Sequence, residues 1–329
     1  MFFILFRHVV AFLFSFSFII YLVPMVIKTA KKFGIVDVPD GKLKTHQRST
    51  PYLGGLAIYL SFIATMMLTY PVVNNILWLF LGITLLMFIG LVDDFHVLSP
   101  KQKFLGQFIA VIGFLKSGYS LKTIFFNDWV NIFISAFWLL TVINAFNLID
   151  VMDGLATTIA IMSSLTFFII AIVLQEYFLS LLLIIFLGAL LGFLYFNKSP
   201  AKIYLGDAGS LLIGGFLAAV PLLFPWSSVD WQAYYTPVVI LAIPLLEVGF
   251  LVLIRTYKRL PFYNGSPHHF CIYLKNKGWN ITKILLFTIF ASIILSTIAL
   301  LFLFNVISFL LLFILCFIFL LFWIFIIYI

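Results

Sequence analysis

Acid is scarce in this chain. Only 11 of its 329 residues are Asp or Glu, and charged residues of either sign amount to 9%. So little charge excludes a soluble domain of this length, because only a bilayer could cover the remaining apolar surface. Cysteine is equally scarce. Cys271 in a loop and Cys316 inside the last apolar run are too differently placed to pair, so free thiols are expected and a disulfide framework is excluded. Low-complexity tracts and a convincing internal repeat are missing as well. The apolar run after Arg7 is too long for a signal peptide and lacks a small-residue cleavage site before Lys28, Lys31 and Lys32, so it reads as a retained first helix. The net charge of +8 calls for no nucleic acid, since anionic lipid and phosphate substrates account for it.

What the chain has in abundance is hydrocarbon: 64% of residues are hydrophobic and 19% aromatic. Apolar runs long enough to cross about 30 Å of lipid lie near Val9–Ile27, Leu53–Tyr70, Ile76–Val92, Phe104–Gly118, Val130–Ile149, Leu155–Leu174, Phe178–Phe196, Leu211–Pro225, Thr236–Ile254, Ile281–Phe304 and Val306–Tyr328. Backbone groups in lipid must be satisfied within their own segment, so these runs are expected to be helices. The expected fold is an all-α polytopic membrane protein, one integral-membrane domain over 1–329, with about eleven crossings and ten as the alternative. Sixteen of the 19 basic residues, Lys42, Lys44 and Arg48 among them, then fall on one side, and only Arg7, Lys116 and Lys122 on the other. That asymmetry is the positive-inside pattern, which puts the N-terminus outside and the C-terminus in the cytoplasm. Phe104–Gly118 is the critical run. Without that crossing, Asp93 and Asp94 would lie opposite Asp150 and Asp153.

Five aspartates occupy three short motifs at the ends of these runs: Asp93 and Asp94, Asp150 and Asp153, and Asp207. Carboxylates beside hydrocarbon are costly unless paired, hydrated or bound to a cation. Oxygen-rich clusters suit Mg²⁺ or Mn²⁺, so a membrane-embedded, metal-dependent enzyme is the first expectation. Asn144, Asn147, Asp150 and Asp153 recur every third residue, and the first three share a helix face; capping alone would not require four such groups. Gly154 is expected to break the helix there. Asp93 and Asp94, with Lys101 and Lys103, read as a short loop of two acids and two bases, either tuned for chemistry or merely solvated. Gly206-Asp207-Ala208-Gly209-Ser210 reads as a turn opening a helix, suited to phosphate or metal, or capped by Asp207 or Ser210.

The loop after the ninth run carries Ser266-Pro267-His268-His269 among Arg255, Lys258, Arg259, Lys275 and Lys277, a combination suited to a diphosphate. A solvated basic loop would explain the lysines but not the histidine pair. Zinc at His268, His269 and Cys271 lacks a fourth ligand. Glu247, deep in the ninth run, needs a partner, in a structural or a functional role.

Together these motifs, from Thr50-Pro-Tyr-Leu-Gly-Gly55 to His269, resemble the polyprenyl-phosphate sugar-1-phosphate transferase family (glycosyltransferase family 4) over most of the chain. The resemblance implies transfer of a sugar-1-phosphate from a UDP-N-acetyl amino sugar to undecaprenyl phosphate. The products would be undecaprenyl-diphosphate-sugar and UMP, in the first membrane step of a surface glycan or cell-wall polymer. It implies Mg²⁺, or Mn²⁺, on Asp207 with Asn147 beside it, and Asp93 and Asp94 acting on the lipid phosphate. Lys103 would contact phosphate, and Tyr204 would stack on uracil. Asn144, Asp150 and Asp153 would line the nucleotide-sugar pocket, and His268 and His269 would meet the diphosphate. The implied setting is the bacterial cytoplasmic membrane with the site facing the cytoplasm, and a homodimer is compatible with it. Many members carry three histidines in the last motif where this chain has two, and the pentapeptide-type loop is not closely matched, so a simpler N-acetylhexosamine is the expected sugar. Two other classes use intramembrane acids. An ion-coupled transporter would place them at the midplane of inverted repeats. An intramembrane aspartyl protease would leave three acids and the basic loops unexplained.

Overall fold

The computed structural model describes residues 2–37, 49–70, 74–116, 118, 120–123, 125–261 and 267–329. Lys42, Lys44, Arg48 and Ser266 lie outside those residues. The chain runs α1 (Phe2–Lys32), a two-stranded antiparallel ribbon of β1 (Val36–Asp37) and β2 (Thr50–Pro51), α2 (Gly54–Thr69), α3 (Asn74–Phe95), α4 (Pro100–Lys116) and α5 (Asp128–Ile149). It continues through α6 (Leu155–Val173), α7 (Tyr177–Asn197), α8 (Gly206–Leu223), α9 (Trp226–Val229), a 3₁₀ turn (Trp231–Tyr235), α10 (Thr236–Ile240) and α11 (Ala242–Tyr257). The last elements are α12 (Phe270–Asn276), α13 (Ile281–Leu303) and α14 (Phe309–Tyr328). Every predicted run is helical, and the chain is an all-α, multi-pass membrane protein. Among the described residues, eight helices are long and apolar enough to span a bilayer, or nine if one bent pair is a single span. The predicted eleven included α2 and α4, which are shorter.

The bent pair corrects the ninth run, expected as one helix from Thr236 to Ile254. Its two parts, 231–240 and Ala242–Tyr257, meet at 71°. Pro244 explains the break: it has no N–H to give the carbonyl of Ile240, and its ring crowds that turn. The two parts find different neighbours, α10 packing on α13 and α11 on α5.

Helix α8 is the axis of the bundle, packed against α2, α3, α5 and α6. Its small residues Gly209, Ser210, Gly214, Gly215, Ala218 and Ala219 are all buried, which lets neighbouring backbones approach. Phe62, Phe186 and Phe216 fill the space beside it, with Phe186 and Phe216 stacked at 3.9 Å. Hydroxyls tie the outer helices inward: Ser61 donates to the carbonyl of Ser15 (2.9 Å), and Ser15 to that of Ile185 (2.8 Å). Large aromatics such as Trp129 and Phe133 remain outward, as a lipid-facing surface requires.

Long helices consecutive in the chain alternate in direction, as α1 with α2 and α3 with α4 do, which gathers the motif-bearing ends at one pole. There Lys103 meets Asp93 across the α3–α4 hairpin. A side chain on Gly154, before α6, would lie 3.7 Å from Leu285 near the start of α13. Lys277 donates to the carbonyl of Ile326 near the end of α14. The opposite pole holds Arg7 over the Tyr70 ring, the His8–Ser180 hydrogen bond, and Tyr234 on the carbonyl of Lys122.

Candidate active site

Four helix ends build an aspartate centre. Asp93 and Asp94 lie in the last turn of α3, and Lys101 and Lys103 in the first turn of α4, so the expected loop is in fact two helix ends. Lys103 Nζ sits 2.7 Å from Asp93 Oδ2 and 3.1 Å from Asp207 Oδ2, bridging α3 and α8. Asp93 Oδ1 accepts from the backbone N–H of Leu98 at 2.7 Å, which leaves it 8% exposed against 34% for Asp207. From α5, Asn147 Nδ2 donates to Asp207 Oδ1 and to Ser210 Oγ (2.9 Å).

Neither Asp207 nor Ser210 caps α8. That helix starts without a capping side chain of its own, and Asp94 supplies the cap from another helix. Its Oδ1 accepts from Asp207 N at 2.7 Å and its Oδ2 from Ala208 N at 3.1 Å. Both oxygens are therefore engaged with backbone, and their effect is to fix where Asp207 points. Glycine makes the approach feasible. A Cβ on Gly90 of α3 would collide with the Asp207 carbonyl, and one on Gly55 of α2 with the backbone of Gly209. The Thr50–Gly55 segment continues this docking: Pro51 O accepts from Tyr204 N (2.7 Å), and Gly54 N and Gly55 N donate to the carbonyls of Tyr204 and Leu205.

The remaining motif residues sit around this centre. Asn144 exchanges hydrogen bonds with Gln107 of α4, 2.8 Å and 3.3 Å, clamping α5 to α4. Asp150 follows the end of α5. Burial, reinforced by the charges of Asp207, Asp94 and Asp153, pushes its carboxyl up to about 8. Asp153 accepts from Ala201 N at 3.0 Å, orienting the segment that leads to half-buried Tyr204. Helix α5 stops at Ile149, ahead of the expected break, so Asp150 caps it and Asp153 lies beyond it; Gly154, at φ +73°, turns the chain into α6 instead.

A second cluster forms where α11 meets α12. His269 is buried, with Nδ1 2.8 Å from Glu247 Oε1. Lys258 Nζ lies 2.7 Å from His268 Nε2, and the buried His268 Nδ1 has no hydrogen-bond partner among the described residues. Burial, then the Lys258 and Arg255 charges, hold the His268 ring below the usual imidazole range. The neutral ring accepts from Lys258 and keeps its own N–H for another acceptor. Among the described residues, no hydrogen bond or ion pair joins this cluster to the aspartates.

Sequence reasoning did not single out Gln107 or Gly90, and it gave Ser210 a place in the turn or as a cap but not as a partner of Asn147. Gln107 carried a signal, a polar amide in the middle of an apolar run, whereas the glycine contact had none.

For a cation, the described residues offer no group of three His, Cys, Asp or Glu arranged to hold one. They do offer Asp207, open to solvent, and Asn147, whose amide nitrogen is engaged so that Oδ1 is the atom left to face a ligand. That is a partial donor set of the kind Mg²⁺ accepts, since it keeps waters and takes substrate phosphates as ligands.

Comparison with known proteins decides the family. The chain is 30% identical to the probable undecaprenyl-phosphate N-acetylglucosaminyl 1-phosphate transferase of Bacillus subtilis, over 80% of this chain and 76% of that one. The chain belongs to glycosyl transferase family 4. The family pattern matches residues 76–224, which hold α3 to α8 and so the entire aspartate centre. Family 4 relatives of a second kind are equally similar. Phospho-N-acetylmuramoyl-pentapeptide-transferases of Staphylococcus saprophyticus (33%, covering 80% of this chain and 89% of that one) and Lactococcus lactis (31%, 78% and 85%) match to about the same degree. Overall similarity therefore does not select between the two sugars.

Proposed function

We propose that this protein transfers N-acetylhexosamine-1-phosphate from a UDP-sugar to undecaprenyl phosphate, in a Mg²⁺-dependent reaction at the cytoplasmic face of a bacterial inner membrane. The observation that carries the reading is Lys103 held between Asp93 and Asp207. With Asn147 on Asp207, it draws three of the motif regions into one centre at the pole where most of the described basic residues lie. Bound on Asp207 and Asn147, Mg²⁺ would neutralise diphosphate charge as the new bond forms. The protein's own groups do the positioning, which is most of what phosphoryl transfer needs.

Asp93 and Lys103 receive the lipid phosphate at the open helix ends. One of its oxygens attacks the β-phosphorus of the UDP-sugar, the bond to the α-phosphate oxygen breaks, and UMP leaves. A phosphate dianion is already nucleophilic near neutral pH, so Asp93 orients it rather than deprotonating it. Asp94 acts through Asp207, as a positioning residue. Asn144, Asp150, Asp153 and Tyr204 shape the nucleotide-sugar pocket, and His268 offers its unpartnered N–H to a diphosphate oxygen. A transporter or a protease would leave this lysine-bridged set without a task.

Purified protein supplied with undecaprenyl phosphate and a panel of UDP-sugars should yield UMP with one N-acetyl amino sugar and lose activity in EDTA. No product with any sugar would refute the reading. The orientation has its own test. Cysteines placed at exposed Ser99 and Ser199 should resist an impermeant reagent in intact cells and react after lysis. Labelling from outside would reverse the topology.

A further inference from the structure

Among the described residues, Glu247 is the one buried carboxylate that the reaction as described leaves idle. It lies on α11, 1% exposed, inside a helix read as part of a span. An acid at such a depth costs about 2.5–3.5 kcal/mol on insertion scales, and a polar neighbour must compensate. Its nearest is His269: Oε1 to Nδ1 is 2.8 Å, whereas Oε2 to the backbone N–H of Phe270 is 3.4 Å. The short contact is to the ring, so capping of α12 is the weaker of its two tasks. Aromatic packing secures the arrangement from outside, since Phe270 rests on Trp323 of α14 at 5.0 Å and Trp323 stacks on Phe287 of α13 at 5.6 Å.

A carboxylate differs from every neutral side chain of its size in being an acceptor only. Facing Nδ1, it requires the proton there and leaves Nε2 as the ring's outward atom. A glutamine would satisfy either tautomer. We propose that Glu247 is a positioning residue. It holds His269 with Nδ1 protonated and its ring fixed, so that Nε2 is presented as an acceptor to a hydroxyl or amide N–H of the nucleotide sugar. This inference rests on the transferase reading for the identity of that ligand.

The test uses full-length protein in lipid nanodiscs, with ¹⁵N-labelled histidine, and the variants Glu247→Gln, His269→Ala and the double variant. In wild type, the ring signal that disappears in His269→Ala should show Nδ1 carrying a proton, and in Glu247→Gln it should shift towards the other tautomer. An unprotonated Nδ1 in wild type, or a signal unchanged in Glu247→Gln, would overturn the proposal whatever the activity. Glu247→Gln should lower kcat/KM for the UDP-sugar about 10- to 100-fold, the usual effect of losing a group that orients a functional histidine. It should add nothing once His269 is alanine, because both act through one ring. Multiplying effects in the double variant would mark Glu247 as merely structural. An inactive wild type would overturn the transferase reading and the nucleotide-sugar ligand with it, whereas an active wild type with multiplying variants overturns only the role of Glu247.

Discussion

The aspartate centre and the histidine cluster lie at the same pole and are built by opposite means. In the first, backbones touch: glycines at positions 55, 90 and 209 let α2, α3 and α8 meet without side chains between them, and Asp94 closes the join. In the second, side chains do the joining, with Glu247 holding His269 and aromatic rings covering both. Backbone contact tolerates almost no change of volume, while a side-chain tether leaves room for the loop before α12 to differ. The family pattern covers the α3 and α8 sides of the first region and includes neither α2 nor the second region.

The comparison would break most visibly at Asp207. Asp207→Asn should reduce turnover at least about 10²-fold, as expected when a charge stabilising the transition state is removed, and should weaken the dependence of rate on Mg²⁺ concentration. Near-normal turnover in correctly inserted protein would take Asp207 out of the site.

A smaller effect separates the two regions directly. Gly90→Ala forces a methyl group onto the Asp207 carbonyl, so it should cost about 1–3 kcal/mol in stability and lower activity. Gly249→Ala, on the helix that carries Glu247, meets open space and should leave activity unchanged, with up to about 1 kcal/mol gained from helix propensity. Comparable losses in both, read by thermal unfolding and rate, would erase the distinction.

Asp94→Ala should cost about 1–2 kcal/mol, as for other lost helix caps, and reduce kcat without abolishing it. Complete loss of turnover with unchanged stability would make Asp94 a catalytic residue instead.

The smallest effect concerns pH. Because Asp150 titrates near 8 in the folded protein and near 4 when unfolded, the folded state holds more protons in between. Its contribution therefore favours folding at low pH and is lost as pH rises through about 8. In EDTA, the melting temperature should decline between pH 5 and 9, and Asp150→Asn should flatten that decline. An identical slope in the variant would remove Asp150 as its source.

Composition alone determined the solvent of this protein, since no arrangement of so apolar a chain could stay in water. The apolar runs determined its helices, because lipid offers backbone groups no other partner. The spacing of Asn144, Asn147, Asp150 and Asp153 marked the end of α5 as chemically equipped, and Gly154 marked the turn into α6, although α5 itself stops at Ile149. Other features were decided only by tertiary structure. Nothing in the adjacent pair Asp93-Asp94 showed that one would face Lys103 while its neighbour capped a helix more than a hundred residues away, because which face of α3 meets α8 depends on packing. The break before α11 was marked by Pro244, yet its consequence, two parts on two different neighbours, belongs to the assembled bundle. Glu247 announced that it needed a partner, and only the folded chain brought His269 to it. Covalent sequence dictates local conformation and solvent preference; which distant groups meet is a property of how the helices pack.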